Sequence, residues 1–293
     1  MYELIQVGEN TYYIECPSKM GLYHLGDGSV CLIDSGNDKD TGKKVLKLIE
    51  SKGWKLDRIL CTHSHADHIG GNRYLQEKTG CPIYGAGIDR VFMEHPILEP
   101  SLLYGGYPHR GLRNKFLMAQ ESVVKELTEE SLPSGLSMHR LDGHSLSMVG
   151  IKTDDEVWFL ADSLTSEAVL SKYHISFLYD VKAYLESLEA VCELEGTLFI
   201  PAHAAPTRDI RPLAKRNREK ALELIGLIRA LAKDGIGFEA LLKGVFDHYG
   251  LSLDFGQYVL SGSTLRSYLS YLLDKGEMEA LFCENYLIWK TQP

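Results

Sequence analysis

The run His63-Ser64-His65-Ala66-Asp67-His68 places four metal-binding side chains in six consecutive positions, directly after the apolar run Ile59-Leu60-Cys61. A strand-to-loop exit there lets His63 and His65, two apart, point at one ion, while Asp67 and His68 start the next turn and face a neighbouring ion. Two ions need more than four ligands. The others must come from further loops at the same edge of a sheet, and three candidates follow strands or turns: His144 in Asp142-Gly143-His144-Ser145, Asp162 after Phe159-Leu160-Ala161, and His203 after Ile200-Pro201-Ala202.

The surrounding pattern supplies strands and helices to carry these loops. Residues 2–34 read as hairpins, with Thr11–Ile14 and Val30–Ile33 as β-prone runs separated by the turn signal Gly26-Asp27-Gly28. Val45, Leu46, Leu48 and Ile49 recur at helical spacing before Gly53, and Arg58–Cys61 forms a buried strand ending at the motif. A second helix is expected over Gly70–Lys78 and a strand at Pro82–Tyr84. Between about residues 91 and 135 prolines and glycines loosen the pattern before a helical stretch around Phe116–Leu127; this segment reads as an insertion over the site. Strands return at Glu156–Ala161 and Thr197–Ile200, with a helix over about Asp180–Glu195 between them.

The texture changes after Thr207. Arg211–Leu231 is a long helical pattern; Phe238, Leu241, Leu242, Val245 and Phe246, then Leu265, Tyr268, Leu269, Leu272 and Leu273, fall at i, i+3, i+4, i+7, i+8. Gly276 stops the second of these helices, and Met278–Phe282 with Tyr286–Lys290 make a hairpin. The chain therefore divides into residues 1–208, carrying the site, and 209–293, a helical, winged-helix-like unit. Residues 235–293 hold four Lys and Arg against seven Asp and Glu, so this unit reads as a packing or homodimerisation element rather than a reader of DNA.

A net charge of -9 across 293 residues opposes generalised attraction to nucleic acid or to anionic membrane. No run reaches the ~18 apolar residues of a membrane span, and Met1–Val7 carries Glu3 and alternates, unlike a signal peptide. The six cysteines are scattered without a Cys-x-x-Cys pair, so a cytoplasmic protein with reduced thiols is expected. Cys61, on the strand before the motif, reads as a buried structural thiol. His24, His95, His139, His174 and His248 carry no motif and read as surface or core residues.

The order and flanks of the seven candidate ligands resemble the metallo-β-lactamase superfamily of binuclear hydrolases, over roughly residues 1–208. The resemblance implies an α/β fold, a four-layer αββα sandwich with the site at one edge. It implies His63, His65 and His144 on a first metal, Asp67, His68 and His203 on a second, Asp162 bridging them, and Asp34 in a structural role at a strand end. Ala202 and Gly143-His144-Ser145-Leu146-Ser147 depart from the family's usual glycine and Gly-His-Thr-x-Gly without removing a ligand. His65 stands where flavin-partnered di-iron relatives have glutamate.

The donor types suit two zinc ions, with manganese or iron left open. Two divalent ions, two ligating carboxylates and a bridging hydroxide leave a local charge of about +1, favouring an anionic substrate or a polarised carbonyl. The expectation is an intracellular hydrolase using a metal-bridging hydroxide, oriented by Asp67 as catalytic residue, on a small ester, thioester or lactone. Three other readings stay open: a phosphodiesterase or ribonuclease, for which Arg208, Arg211, Lys215, Arg216, Arg218 and Lys220 form a basic cluster; a ligand-sensing regulatory protein; and a metal-dependent oxygenase. Candidate substrate contacts are His109 and Arg110, on the loop that continues to Arg113 and Lys115, and Tyr173.

Overall fold

The computed structural model describes residues 2–292. Short β-prone runs broken by turns form an antiparallel meander: β1 (Glu3–Gln6), β2 (Thr11–Glu15), β3 (Met20–His24) and β4 (Ser29–Ile33). From β4 the chain crosses over through α1 (Lys39–Ser51), whose N-terminus is capped by the Asp38 carboxylate accepting the Thr41 amide. The strand it returns to, β5 (Lys55–Cys61), lies parallel to β4, and β6 (Ile83–Gly85) and β7 (Val124–Glu126) extend the sheet in parallel. The seven strands stand in sequence order.

A second sheet follows, in the order β11-β10-β9-β8. Its strands are β8 (Leu136–Arg140), β9 (Val149–Thr153), β10 (Val157–Phe159) and β11 (Leu198–Ile200), with β10 and β11 parallel across the helices α6 (Glu167–Tyr173) and α7 (Val181–Glu193). The sheets face each other through Tyr13, Tyr23, Cys31, Ile33 and Leu60 on one side and Val149, Ile151, Val157, Phe159 and Ile200 on the other. Beyond the first sheet, Val45, Leu46 and Ile49 of α1 and Leu75 of α3 (Asn72–Thr79) bury its outer face. Outside the second, α7 and α8 (Arg211–Leu231) do the same through Leu188, Val191, Leu224 and Ile228. Helix, sheet, sheet, helix is the four-layer order expected.

The C-terminal elements keep the expected sequence: α8, α9 (Phe238–Tyr249), α10 (Phe255–Asp274), and the hairpin β12 (Met278–Cys283) and β13 (Tyr286–Thr291). Their apolar faces join the core outside the second sheet, where Leu241, Val245, Leu265 and Leu269 pack in one cluster with Leu188 and Phe199. Among the described residues, no helix is long and apolar enough to cross a membrane.

One expectation needs correction. Phe116–Leu127 is not a helix: Asn114 turns the chain, its carbonyl accepting the Leu117 and Met118 amides and its side chain the Phe116 amide. Val124–Glu126 then joins β6 as a sheet edge, suiting the β-branched pair Val123-Val124. The helices of this region lie earlier, at α4 (Gly87–Glu94) and α5 (Leu98–Tyr104). The helix expected over Gly70–Lys78 is present as α3, starting at Asn72 because Gly70-Gly71 separates it from the short α2 (Ala66–Ile69). A Cβ on Gly70 would lie 2.3 Å from the Asn37 carbonyl carbon, and one on Gly71 2.4 Å from the Ser35 oxygen, so the close approach of the β4 loop requires both glycines.

Candidate metal centre

Parallel strands send their carboxyl ends to one edge, and the site is assembled there from loops of both sheets. Asp34 follows β4, His63 and His65 follow β5, and α2 presents Asp67 and His68. His144 lies between β8 and β9, Asp162 follows β10 and His203 follows β11. Asp34 and Ala161 adopt positive φ values of 62° and 48°, so the backbone is held in an unfavourable region beside the site. Gly143 has φ 118°, and a side chain there would meet the Tyr184 backbone nitrogen at 2.2 Å.

The donor atoms fall into two groups. His63, His65 and His144 form one and Asp67, His68, Asp162 and His203 the other, with the donors in each group all within 4.8 Å of one another. In the first, His65 Nδ1 lies 3.1 Å from His63 Nε2 and 2.9 Å from His144 Nε2. In the second, His203 Nε2 is 3.1 Å from Asp67 Oδ2 and 3.3 Å from Asp162 Oδ2. Asp162 Oδ2 is also 3.4 Å from His144 Nε2, which places this carboxylate between the groups.

Outer contacts choose which nitrogen each ring turns inward. Nδ1 of His144 donates to the Phe177 carbonyl and Nδ1 of His203 to the Pro17 carbonyl, each at 3.0 Å. Nδ1 of His68 reaches Asp34 Oδ2 at 2.8 Å, and Nδ1 of His63 reaches the Thr62 hydroxyl, which donates to the same Asp34 oxygen. These four rings therefore offer Nε2. His65 is reversed: Nδ1 faces the group, and Nε2 lies 3.6 Å from Glu99 Oε1 on α5.

Burial and neighbouring charge make the two groups differ. Burial, reinforced by the neighbouring histidines, holds His63 well below the ordinary imidazole range, and burial lowers His65. For the same reasons His144 is pushed down to about 4, so the trio offers neutral lone pairs near neutral pH. The quartet is an ionic cluster. Asp162 leads in pushing His203 up to about 10, and Asp162, Asp67 and Asp34 raise His68 against the effect of burial. Burial favours neutral Asp67 and Asp162, yet the histidines beside them hold both carboxyls well below the usual range. The protons on His68 and His203 thus occupy the place of a positive charge.

A divalent ion fits this arrangement. His68 Nε2 and Asp162 Oδ1 are buried with no hydrogen-bond partner, although they stand 3.1 Å apart, so each has a lone pair or proton directed at the space between the donors. The set of imidazoles and carboxylates is that of zinc and its first-row neighbours.

Other expected residues sit outside the cluster. His109 packs edge-on against Phe255, Arg110 is exposed, and Tyr173 lies under Lys172. None of the three lines the two cavities that open on the ligands. In the basic cluster, Arg211 pairs with Asp209 at 2.7 Å, Lys220 with Glu223 at 2.7 Å, Arg216 with Glu167 at 3.8 Å and Arg218 with Glu189 at 3.9 Å.

Two acidic residues escaped the sequence reading. Buried Asp89 of α4 accepts from the backbone and hydroxyl of Ser64 with one oxygen and from the Ser145 hydroxyl and Ser147 amide with the other. Burial pushes the Glu99 carboxyl up to about 8, with Asp89 adding to the shift. Neither stands in a recognisable motif: Asp89 lies just before the insertion and Glu99 within it, on helices without a sequence signal of their own.

Two facing sheets gather histidines and aspartates at one edge, which makes that edge a candidate metal centre. The chain belongs to the metallo-beta-lactamase superfamily, whose family model matches residues 8–203. It is 33% identical over 93 residues to a hydroxyacylglutathione hydrolase of Methylococcus capsulatus, a match spanning 31% of this chain and 32% of that protein. The structure resembles a beta-lactamase domain protein from Burkholderia ambifaria, with TM-score 0.76 and 16% identity over 99% of this chain and 94% of that one. It also resembles a metallo-beta-lactamase family protein from Thermus thermophilus, with TM-score 0.72 and 16% identity over 100% of this chain and 98% of that one. Both likenesses include the C-terminal helices.

Proposed function

We propose that the chain is a binuclear hydrolase that cleaves a small thioester, within the wider class of esters, thioesters and lactones. The observation that carries this reading is Asp162, whose carboxylate stands between a neutral histidine trio and an acidic quartet. His63, His65 and His144 would hold one ion, Asp67, His68 and His203 the other, and Asp162 would touch both. When bound, two divalent ions, zinc by preference, activate water and polarise a carbonyl.

The chain's own groups set up the reaction around that chemistry. Asp67 Oδ2 accepts from the Ser18 hydroxyl at 2.8 Å and belongs to a side chain 40% exposed, so it can orient an entering water. In the hydrolysis, water oxygen bonds to the acyl carbon, the carbon–sulfur bond breaks, and the thiol leaves with a proton from that water. The similarity to a hydroxyacylglutathione hydrolase supports a thioester. The acidic partners along α8 weigh against a phosphate-binding rim there. Six free cysteines go with a reducing, cytoplasmic setting.

The test compares matched thioester, lactone and phosphodiester substrates on zinc- and manganese-loaded protein. Thioester turnover above the other two is expected; a preference for the phosphodiester would replace this reading with the nuclease one. In parallel, His144→Ala and His203→Ala are each expected to lower bound metal from two ions toward one per chain by elemental analysis, with activity falling at least ~100-fold. A variant that keeps full metal and full activity removes that residue from the site.

A further inference from the structure

One of the two cavities at the ligands has a distinct character. It encloses about 200 Å³ and opens on His65, Asp67, His144 and Asp162, with Glu99 beside them, and its apolar wall includes Phe116, Leu117, Phe177 and Leu260. These come from three separate parts of the chain: the irregular segment after α5, the loop before α7, and α10. The wall is anchored, because Leu117, Phe177 and Leu260 pack on buried Leu103, Leu112 and Val259. Helix α10 is further tied to the loop of Phe177 by the Leu178 amide, which donates to Thr264 Oγ1 at 3.2 Å.

The charge pattern is as informative as the shape. None of the described residues lining this cavity is a lysine or arginine. The cations next to Phe116 and Leu117 in sequence do not line it: Lys115 Nζ lies 3.2 Å from Asp38 Oδ2 and 5.5 Å from the centre of the Phe116 ring, and Arg113 donates to the Tyr107 hydroxyl at 3.0 Å. A carboxylate at the far end of the acyl chain, against this wall, would lose hydration without gaining a lysine or arginine, and would meet the carboxyl of Glu99. The cavity on the other side, against Asp67 and His203, is instead lined by Tyr2, Ser18, Asn37 and Thr41 together with Cys16 and Pro17.

We infer, resting on the thioester reading above, that the Phe116, Leu117, Phe177 and Leu260 cavity receives the acyl half of the substrate, which is a short, uncharged, apolar chain. Helix α10 supplies the wall that limits its length, so the C-terminal part of the chain sets specificity at the metal centre. Apolar area removed from water favours each added methylene until the chain meets Leu260, and the few polar groups at the mouth orient the carbonyl. The thiol half then lies outside this cavity and contributes less to selection.

The experiment measures kcat/KM of zinc-loaded protein on acetyl, butyryl, hexanoyl and succinyl thioesters of one thiol, and on butyryl thioesters of several thiols. Butyryl or hexanoyl is expected to exceed succinyl by about tenfold or more. Leu260→Trp should move the optimum toward acetyl and Leu260→Ala toward hexanoyl, both with metal content unchanged. Calorimetry without turnover should show hexanoate binding about tenfold tighter than acetate, a difference that Leu260→Trp abolishes. Thioester hydrolysis that ranks succinyl first, follows the thiol rather than the acyl chain, or keeps its ranking in both Leu260 variants overturns the inference and leaves the thioester reading standing. Silence on every thioester with turnover of a lactone or phosphodiester overturns that reading, and this inference with it.

Discussion

Asp89 ties together the two loops that present the histidine trio. Its oxygens take Ser64, between His63 and His65, and Ser145 and Ser147, just after His144. An amide at this position keeps one acceptor and turns a donor toward groups that already donate, so the loops lose their common anchor. If the trio holds a metal as proposed, Asp89→Asn is expected to weaken its binding about 10- to 100-fold. Chelator competition with zinc measures this, and unchanged affinity in a folded variant would show that the loops need no such anchor. The residue was not legible from the sequence because it acts 25 positions from Ser64 and 56 from Ser145, through contacts that exist only once α4 has docked. Glu99 escaped for the same reason, whereas His63 to His68 stood out because four donors share one loop.

Between elements, the turn after β1 and the turn before β10 are joined by another carboxylate. Asp155 accepts the amides of Glu9 and Asn10 at 2.9 Å and the Thr11 hydroxyl at 2.6 Å, fastening one sheet to the other at this point. Burial raises its pKa, but the hydrogen bonds from Thr11, Asn10 and Glu9 prevail and hold it below the ordinary 3.8. A carboxyl depressed by folding stabilises the fold above its unfolded pKa, and that contribution is lost as pH falls through the folded value. Asp155→Asn should therefore lose less stability than the parent between about pH 5 and pH 3, a small effect because solvent screens the group. Denaturant midpoints across that range decide it: parallel curves for the two proteins would remove Asp155 from acid sensitivity. Long periodic elements such as Arg211–Leu231 were legible at this scale. Some short strands, β6, β10 and β11 among them, were legible too, but β8, β9, α4, α5 and α6 were not: they span five to eight residues and owe their form to a neighbouring sheet or loop rather than to a strong pattern of their own.

Across the whole molecule, residues on both sides of position 208 share one apolar core. Tyr184, Leu188 and Phe199 pack in the same cluster as Ala214, Leu224, Leu241, Leu265 and Leu269. Ending the chain after Thr207 would uncover this surface, together with the Leu260 side of the metal-site cavity. The shortened chain is expected to aggregate or to melt at least ~10 °C lower than the full chain, which a thermal scan of both would show. A well-behaved fragment that binds two metals would instead make residues 1–208 an independently folding domain.

What the amino-acid order determined by itself was local in character: the dense histidine motif at the end of an apolar strand, the candidate ligands following later strands, the long helices, and the terminal hairpin. These depend on residues close in sequence, whose spacing alone sets strand ends and helix faces. The tertiary structure decided which nitrogen each histidine turns inward, brought Asp89 to the serines beside the rings and Glu99 to His65, and set Leu260 of α10 in the same cavity as His65. Such features arise from contacts between segments distant in the chain, made only when two sheets and their helices exclude water together and leave each buried polar group to find a partner in space.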